Sequence, residues 1–302
     1  MKKIIITGAT GFVGINLYNY LKFSYEIESI SLRFVVKQTI VIQSYAIIHL
    51  AGKAHDLKKV SQPNEYYEAN YELTKQLFDA FLISNCSVFV FMSTVKAVAD
   101  IVEGVLVEEV IPTPQTHYGI AKQQAEQYIL SKKIPKGKRV YILRPCMIHG
   151  PGNKGNLNML FQFADKGIPW PLGKFENRRS FLSVENLCFV IKELLIQETI
   201  PSGVYNVADD ESLSTNELIQ LMAQSQNKQA RILNISKGGI SAIAKIGDFL
   251  HLPLDSERLQ KLTESFEVSN SKIKLAIGKP SLLIGAKHAD ARGTLLYNND
   301  FD

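Results

Sequence analysis

Cysteine is scarce in this chain. Cys86, Cys146 and Cys188 stand far apart among 302 residues with no paired spacing, which fits neither a disulfide framework nor a zinc site. Buried thiols in a reducing compartment are expected, and no metal. Long apolar runs are missing too. The first, Ile4 to Ile6, stops at a glycine turn and is too short for the core of a secretion signal. Nowhere do the about 18 consecutive apolar residues of a membrane span occur, so a cytoplasmic protein with no membrane partner is expected. Charge of one sign is nowhere concentrated. The 34 basic and 29 acidic residues are dispersed, and the formal charge of +5 supports a small anionic ligand only weakly and nucleic acid not at all. There is no internal repeat or low-complexity tract.

Apolar residues, by contrast, make up 46% of the chain, enough for a substantial core. Runs with strand character recur as KIIIT, EIESISL, AIIHLA, VFVFMST and RVYILRP. Helical spacing lies between several of them: Val13, Leu17 and Leu21, then Tyr66, Asn70, Leu73, Leu77 and Phe81 on one face. Short apolar strands alternating with helices predict an α/β fold, a Rossmann-like doubly wound parallel sheet covered on both faces. The stretch between Arg33 and Ile47 leaves little room for a helix, so the sheet is expected to be trimmed there. After Pro145 the segments GPGNKGN, GIPWPLG and ENRRSF read as loops over the carboxyl ends of the strands, where such sheets bind ligands. The dinucleotide-binding domain is expected over 1–175, with a helix at about 184–198 returning to it. Residues 176–302, including the short strand VYNVA, are expected to form mainly a smaller substrate-binding cap.

TGATGFVG sets Gly8, Gly11 and Gly14 between a strand and a helix. Gly8 permits a tight turn, Gly11 lets backbone approach a pyrophosphate, and Gly14 lets helix and strand pack closely. The helix N-terminus presents unpaired N–H groups to phosphate. Gly8, Thr10, Gly11, Phe12, Val13 and Gly14 are therefore the expected cradle of a dinucleotide. NAD-selective sites place Asp or Glu at the end of the second strand for the ribose hydroxyls, whereas this chain offers Ser31 and Arg33. A guanidinium pairs with a 2′-phosphate, so NADP(H) is the expected preference, with NAD(H) the alternative if Arg33 is an ordinary surface residue.

In THYGIAKQQAEQYIL, Tyr118 and Lys122 are four apart and share a helix face. A nearby ammonium and a positive nicotinamide would lower the tyrosine pKa. Thr94, leaving its strand in FMSTVKA, is placed to hydrogen-bond a substrate oxygen. Together they suit hydride transfer: Tyr118 moves the proton, Lys122 tunes it and holds the nicotinamide ribose, and Thr94 orients the hydroxyl or carbonyl.

Through TGATGFVG, IIHLAGKAH, FMSTVKA, YGIAK and LRPCMIHGPGNKGN the chain resembles the extended short-chain dehydrogenases/reductases, specifically the nucleotide-sugar epimerase/dehydratase group of bacterial surface-polysaccharide synthesis. The resemblance implies further roles. Leu50, Ala51 and Gly52 would line the cofactor path, Asn70 would brace the strand carrying the site, and Pro145 would follow the strand beside the nicotinamide. Asn156 and Arg179, or Arg178 in its place, would hold the diphosphate of a UDP-sugar. Trp170 and Leu172 either cover the nucleobase or pack within their loop, and His49 reads as a packed core residue rather than a catalyst. A homodimer is a further implication. Dehydratases of the group carry an acid pair after the Thr94 position, where this chain has Val95 and Lys96, so dehydration is not expected. The activity implied is reduction at C4 of a UDP-linked keto sugar, or C4 epimerisation by the same residues; a cofactor-binding regulator without catalysis is the third reading.

Overall fold

The computed structural model describes residues 1–37, 39–54, 62–153, 157–250 and 255–279. Its strands are β1 Lys3–Thr7, β2 Glu26–Ile30, β3 Ala46–His49, β4 Val88–Met92, β5 Val105–Leu106, β6 Arg139–Pro145, β7 Met147–His149, β8 Arg179–Ser183, β9 Gly203–Val207, β10 Ser212–Leu213 and β11 Glu267–Val268. Its α-helices are α1 Phe12–Leu21, α2 Pro63–Tyr67, α3 Leu73–Ile83, α4 His117–Leu130, α5 Leu157–Asp165, α6 Val184–Ile196, α7 Thr215–Ser225, α8 Lys237–Leu250, α9 Ser256–Thr263 and α10 Ser271–Ile277. No helix among the described residues is long and apolar enough to cross a membrane.

Six strands form one parallel sheet in the order β2-β1-β3-β4-β6-β9. Its inner strands β1, β3, β4 and β6 are apolar on both faces because both are covered. Ile4, Ile6, Ile48, Val88, Val90, Tyr141 and Leu143 point into one core with Leu17 of α1, Leu187 and Ile191 of α6, and Ile273 of α10. The alternate residues Ile5, Ile47, Phe89, Phe91, Val140 and Ile142 point into the other, with Leu77, Phe78 and Phe81 of α3 and Ala125 and Ile129 of α4. Each such side chain, fully buried, stabilises the fold by about 1.5–3 kcal/mol.

Between β2 and β3 there is neither helix nor strand among the described residues, so β2 is the sheet edge. The chain leaves β1 for β2 on one side and returns to β3 on the other, opening a crevice at the carboxyl ends of β1 and β3. The strand at Gly203–Val207, placed in the cap by sequence, instead pairs with β6 from Tyr141↔Gly203 to Pro145↔Val207. The pairing partner lies about 60 residues away, beyond the reach of local pattern. A second, smaller core joins Leu157, Leu160, Trp170 and Leu172 to Phe181, Leu218, Met222, Ile240, Ala244 and Leu259. This lobe thus draws on residues both before and after position 175. The three cysteines are buried and free.

Candidate active site

The glycine turn forms from packing demands that can be separated residue by residue. Gly8 has φ +71, and a Cβ there would meet Ala51 N at 2.8 Å, so the turn is pressed against the end of β3. A Cβ on Gly14 would penetrate Gly8 O and lie 2.6 Å from Ala9 Cα, so helix and turn touch backbone to backbone. Gly11 is different: its nearest obstacle is Gly8 O at 3.3 Å, and it is exposed with Thr10. Gly11 is the N-cap of α1 and makes no side-chain cap hydrogen bond, so no capping side chain occupies the first N–H groups of α1. This cradle fits a dinucleotide pyrophosphate: backbone donors, a helix N-terminus and no side chain in the approach. Phe12 and Val13 are half-buried in the first turn. Ser31 and Arg33 are exposed just past β2, whose last residue, Ile30, pairs with Thr7; they sit at the same carboxyl edge as Gly8.

A directional hydrogen-bond chain fixes the opposite wall. Ala51 N donates to Thr7 Oγ1 at 3.2 Å, and that hydroxyl meets His49 Nδ1 at 2.7 Å. His49 Nε2 meets Thr74 Oγ1 at 3.0 Å, and Thr74 donates to Asn70 O at 2.8 Å. Since Thr74 donates to a carbonyl, His49 Nε2 is the donor to Thr74 and Nδ1 the acceptor from Thr7, which is a neutral imidazole. Burial, with the Lys122 charge adding, holds His49 down to about 3. It stacks on Phe91 as a core residue. The unfolded imidazole takes up its proton near pH 6.5 and the folded one only near 3. Stability is therefore expected to fall as pH drops through that window, by up to about 1.4 kcal/mol per unit. Urea unfolding at pH 7.5 and pH 5 checks this; the loss should be smaller in His49→Asn.

Asn70 lies in a π-helical turn, Glu68–Glu72, between α2 and α3, a distortion frequent at functional sites. Its amide bridges Lys53, accepting from Lys53 N at 3.1 Å and donating to Lys53 O at 3.0 Å. A Cβ on Gly52 would meet Asn70 Oδ1 at 2.5 Å and Lys122 Nζ at 3.2 Å. Leu50, Ala51, Gly52, Asn70 and Lys122 are thus brought to one place.

Thr94 follows β4 and caps the 3₁₀ turn Val95–Ala97. Thr116 caps α4, accepting from Gly119 N at 3.1 Å. Gly119 was not singled out by sequence, yet any Cβ there would collide with Lys96 O; its bareness lets the first turn of α4 reach the Thr94 turn. The Thr94 hydroxyl consequently stands close enough to the half-buried Tyr118 phenol to favour its ionised form. Lys122, 3% exposed, donates to Met92 O at 2.8 Å and lies 4.7 Å from the centre of the Phe91 ring. Burial pushes Lys122 down to about 7, the Glu126 carboxylate opposing it. Burial also pushes the Tyr118 phenol up to about 12, the Thr94 hydroxyl opposing it. Burial thus sets the phenol against ionisation, and the lowering expected from sequence requires the charge of a nicotinamide together with the Lys122 ammonium. Pro145 is buried at the end of β6.

A model of the NAD dependent epimerase/dehydratase family matches residues 4–208. The chain belongs to that family. It is an enzyme with an NAD(P) cofactor. It is 28% identical to a UDP-glucose 4-epimerase of Vibrio cholerae, over 92% of this chain and 90% of that one. A GDP-6-deoxy-D-mannose reductase of Pseudomonas aeruginosa is 26% identical over 77% of this chain and 83% of its own length. In fold, the chain matches RMD from Pseudomonas aeruginosa complexed with NADPH, at TM-score 0.70 and 22% identity over 98% of both chains. It likewise matches UDP-glucuronic acid 4-epimerase from Bacillus cereus in complex with NAD, at TM-score 0.71 and 16% identity over 94% and 95%.

The family's second lobe accommodates some of the expected substrate residues and not others. Arg179 is half-buried on β8 and donates to Lys261 O; burial lowers its pKa, the nearby Glu264 opposing. Arg178 turns outward, donating to Ser212 Oγ at 3.0 Å and pairing with Glu267 at 3.8 Å. Leu172 is 2% exposed, and Trp170 donates to Asn216 Oδ1 at 3.0 Å. Both side chains fill the smaller core rather than a surface over a base, because the loop carrying them is pinned to residues 231–234. Asn156 lies outside the described residues.

Proposed function

We propose that this enzyme reduces the 4-keto group of a UDP-linked sugar with NADPH, in surface-polysaccharide sugar synthesis in the cytoplasm. What supports the reading is geometry: Tyr118 and Lys122 stand one turn apart on α4, with Lys122 buried against Met92 O and beside Gly52 and Asn70, and burial raises the Tyr118 phenol pKa. A phenol that keeps its proton is an acid waiting for a developing alkoxide, which is what carbonyl reduction requires. Gly8, Gly11, Gly14 and the start of α1 would hold the pyrophosphate, Lys122 and Asn70 the nicotinamide-ribose end, and Pro145 the strand beside it. When bound, the cofactor supplies hydride to the sugar carbon. Thr94 orients the carbonyl oxygen, Tyr118 delivers its proton to that oxygen, and the Lys122 ammonium offsets the phenolate left behind. Arg179 would pair with the sugar diphosphate through its fork of donors, and the smaller lobe would cap the sugar.

C4 epimerisation is the second reading, favoured by the relative from Vibrio cholerae, which matches over most of both chains. It asks the same Tyr118 to act first as a base toward the sugar hydroxyl and then as an acid toward the keto oxygen. Stoichiometric consumption of NADPH with UDP-4-keto-6-deoxyglucose supports reduction. Interconversion of UDP-glucose with no net change in cofactor overturns it in favour of epimerisation.

NADPH preference is part of the proposal and rests on Arg33 at the edge of the shortened sheet. Arg33→Ala is expected to weaken NADPH by about tenfold, the worth of one charge-assisted pair, and to leave NADH nearly unchanged. Equilibrium fluorescence titration reads both constants. Pairing of two copies through helices that include α4 belongs to the same reading, and a monomer by light scattering removes it.

A further inference from the structure

Tyr118, Lys122 and Glu126 occupy successive turns on one stripe of α4. Opposite them run three consecutive residues of the strand end, two of them hydrogen-bonded to the stripe and the third beside it. Lys122 donates to Met92 O, Ser93 donates to Glu126 Oε1, and Thr94 meets Tyr118. Glu126 is 2% exposed and also accepts from Arg144, whose Nε lies 3.0 Å from each carboxylate oxygen and whose Nη2 lies 2.5 Å from Oε2. Arg144 is itself 4% exposed, and its Nη1 has no hydrogen-bond partner among the described residues.

A buried pair of this kind contributes little to stability, because desolvation of two ions offsets their attraction and apolar residues of equal volume serve as well. Its position explains it better than its energy. We propose that Glu126 is a positioning residue for the reaction: held by Arg144, its carboxylate stands one helical turn from Lys122 and ties Ser93, and so Thr94, to the helix that carries Tyr118. This rests on the reductase reading above. The groups facing Lys122 leave Glu126 as the source of negative charge. His49 on β3 is neutral, Tyr118 is a protonated phenol, and Arg144 on β6 is cationic behind the carboxylate. Burial lowers the Lys122 pKa and the Glu126 charge opposes that shift, and a neutral Lys122 gives no support to the phenolate that forms when Tyr118 acts.

The sign follows directly. Reduction requires charged Lys122, so kcat falls as pH rises through the lysine pKa, and loss of Glu126 moves that fall to lower pH. In Glu126→Gln the basic limb of kcat, measured with NADPH and UDP-4-keto-6-deoxyglucose, is expected about one pH unit or more lower. Glu126→Asp, which keeps the charge, restores the limb. The double variant Glu126→Gln with Arg144→Met removes the unpaired guanidinium and with it the folding penalty of the single change; the limb should stay displaced. NMR titration of lysine 13Cε signals, with Lys122 assigned by Lys122→Arg, gives the second reading and needs no sugar. A Lys122 titration identical in wild type and the double variant overturns the proposal, as does a wild-type Lys122 pKa that fails to coincide with the kcat limb. Failure of the wild type to turn over any UDP-sugar overturns the reductase reading instead, and is distinguished by the NMR arm.

Discussion

Tyr118→Phe is expected to fold, to bind cofactor with near wild-type affinity, and to lose turnover by about 10²–10⁴-fold, the range of general acid catalysis by a positioned group. The ring would keep its place because α4 is fixed elsewhere, by the Thr116 cap, the bare approach of Gly119 to Lys96 O and the buried Ala121, Ala125 and Ile129. Thr94 keeps its bond from Lys96 N at 3.2 Å when the phenol hydroxyl is lost, so the strand end is still closed. The effect should therefore appear in kcat and hardly in the thermal midpoint. Steady-state kinetics with UDP-4-keto-6-deoxyglucose and UDP-glucose, beside a cofactor titration, separates these quantities. Turnover intact on every sugar would remove Tyr118 from the chemistry, and the third reading, a cofactor-binding regulator, would gain from a wild type that is equally inert.

Much of this site is local in sequence, and that is why it was legible. The cradle is one turn, the Tyr118–Lys122 pair is one helical step, and the strands β1, β3, β4 and β6 are continuous apolar runs whose alternate residues feed two cores. The trimmed edge after Arg33 followed from counting residues. What escaped depends on distant partners. Gly203–Val207 joins the sheet because β6 offers it a free edge, and nothing within the five residues says so. Whether Leu172 covers a base or packs within its loop is decided by residues 231–234, which hold that loop to the smaller core. Gly119 seems an ordinary helix weakness unless Lys96 O is known to lie beside it. Glu126 carried a usable signal, being four residues from Lys122 and eight from Tyr118, but a carboxylate on that stripe reads as solvated until Arg144 covers it. The burial that raises the Tyr118 phenol pKa acts through everything packed around it, which no local spacing displays.

The glycines provide the other large expected effect, and it divides in two. Gly14→Ala puts a methyl into Gly8 O and within 2.6 Å of Ala9 Cα. Backbone cannot yield there without moving α1 away from β1, so a loss of about 3 kcal/mol or more, in the upper range of single substitutions, is expected together with loss of cofactor binding. Gly11→Ala meets only Gly8 O at 3.3 Å, and Gly11 has φ −78, a conformation open to alanine. Its fold should survive within about 1 kcal/mol, as for other substitutions that neither strain nor overpack. Its methyl nevertheless stands at the exposed start of α1 where a pyrophosphate must approach the backbone, so NADPH affinity should fall by about 100-fold, as though a preorganised anion site had been plugged. Urea unfolding and NADPH fluorescence titration of the two variants test this pair of outcomes. If Gly11→Ala binds NADPH as tightly as wild type, the dinucleotide does not lie on this turn, and the chemistry assigned to Tyr118 loses the hydride it depends on.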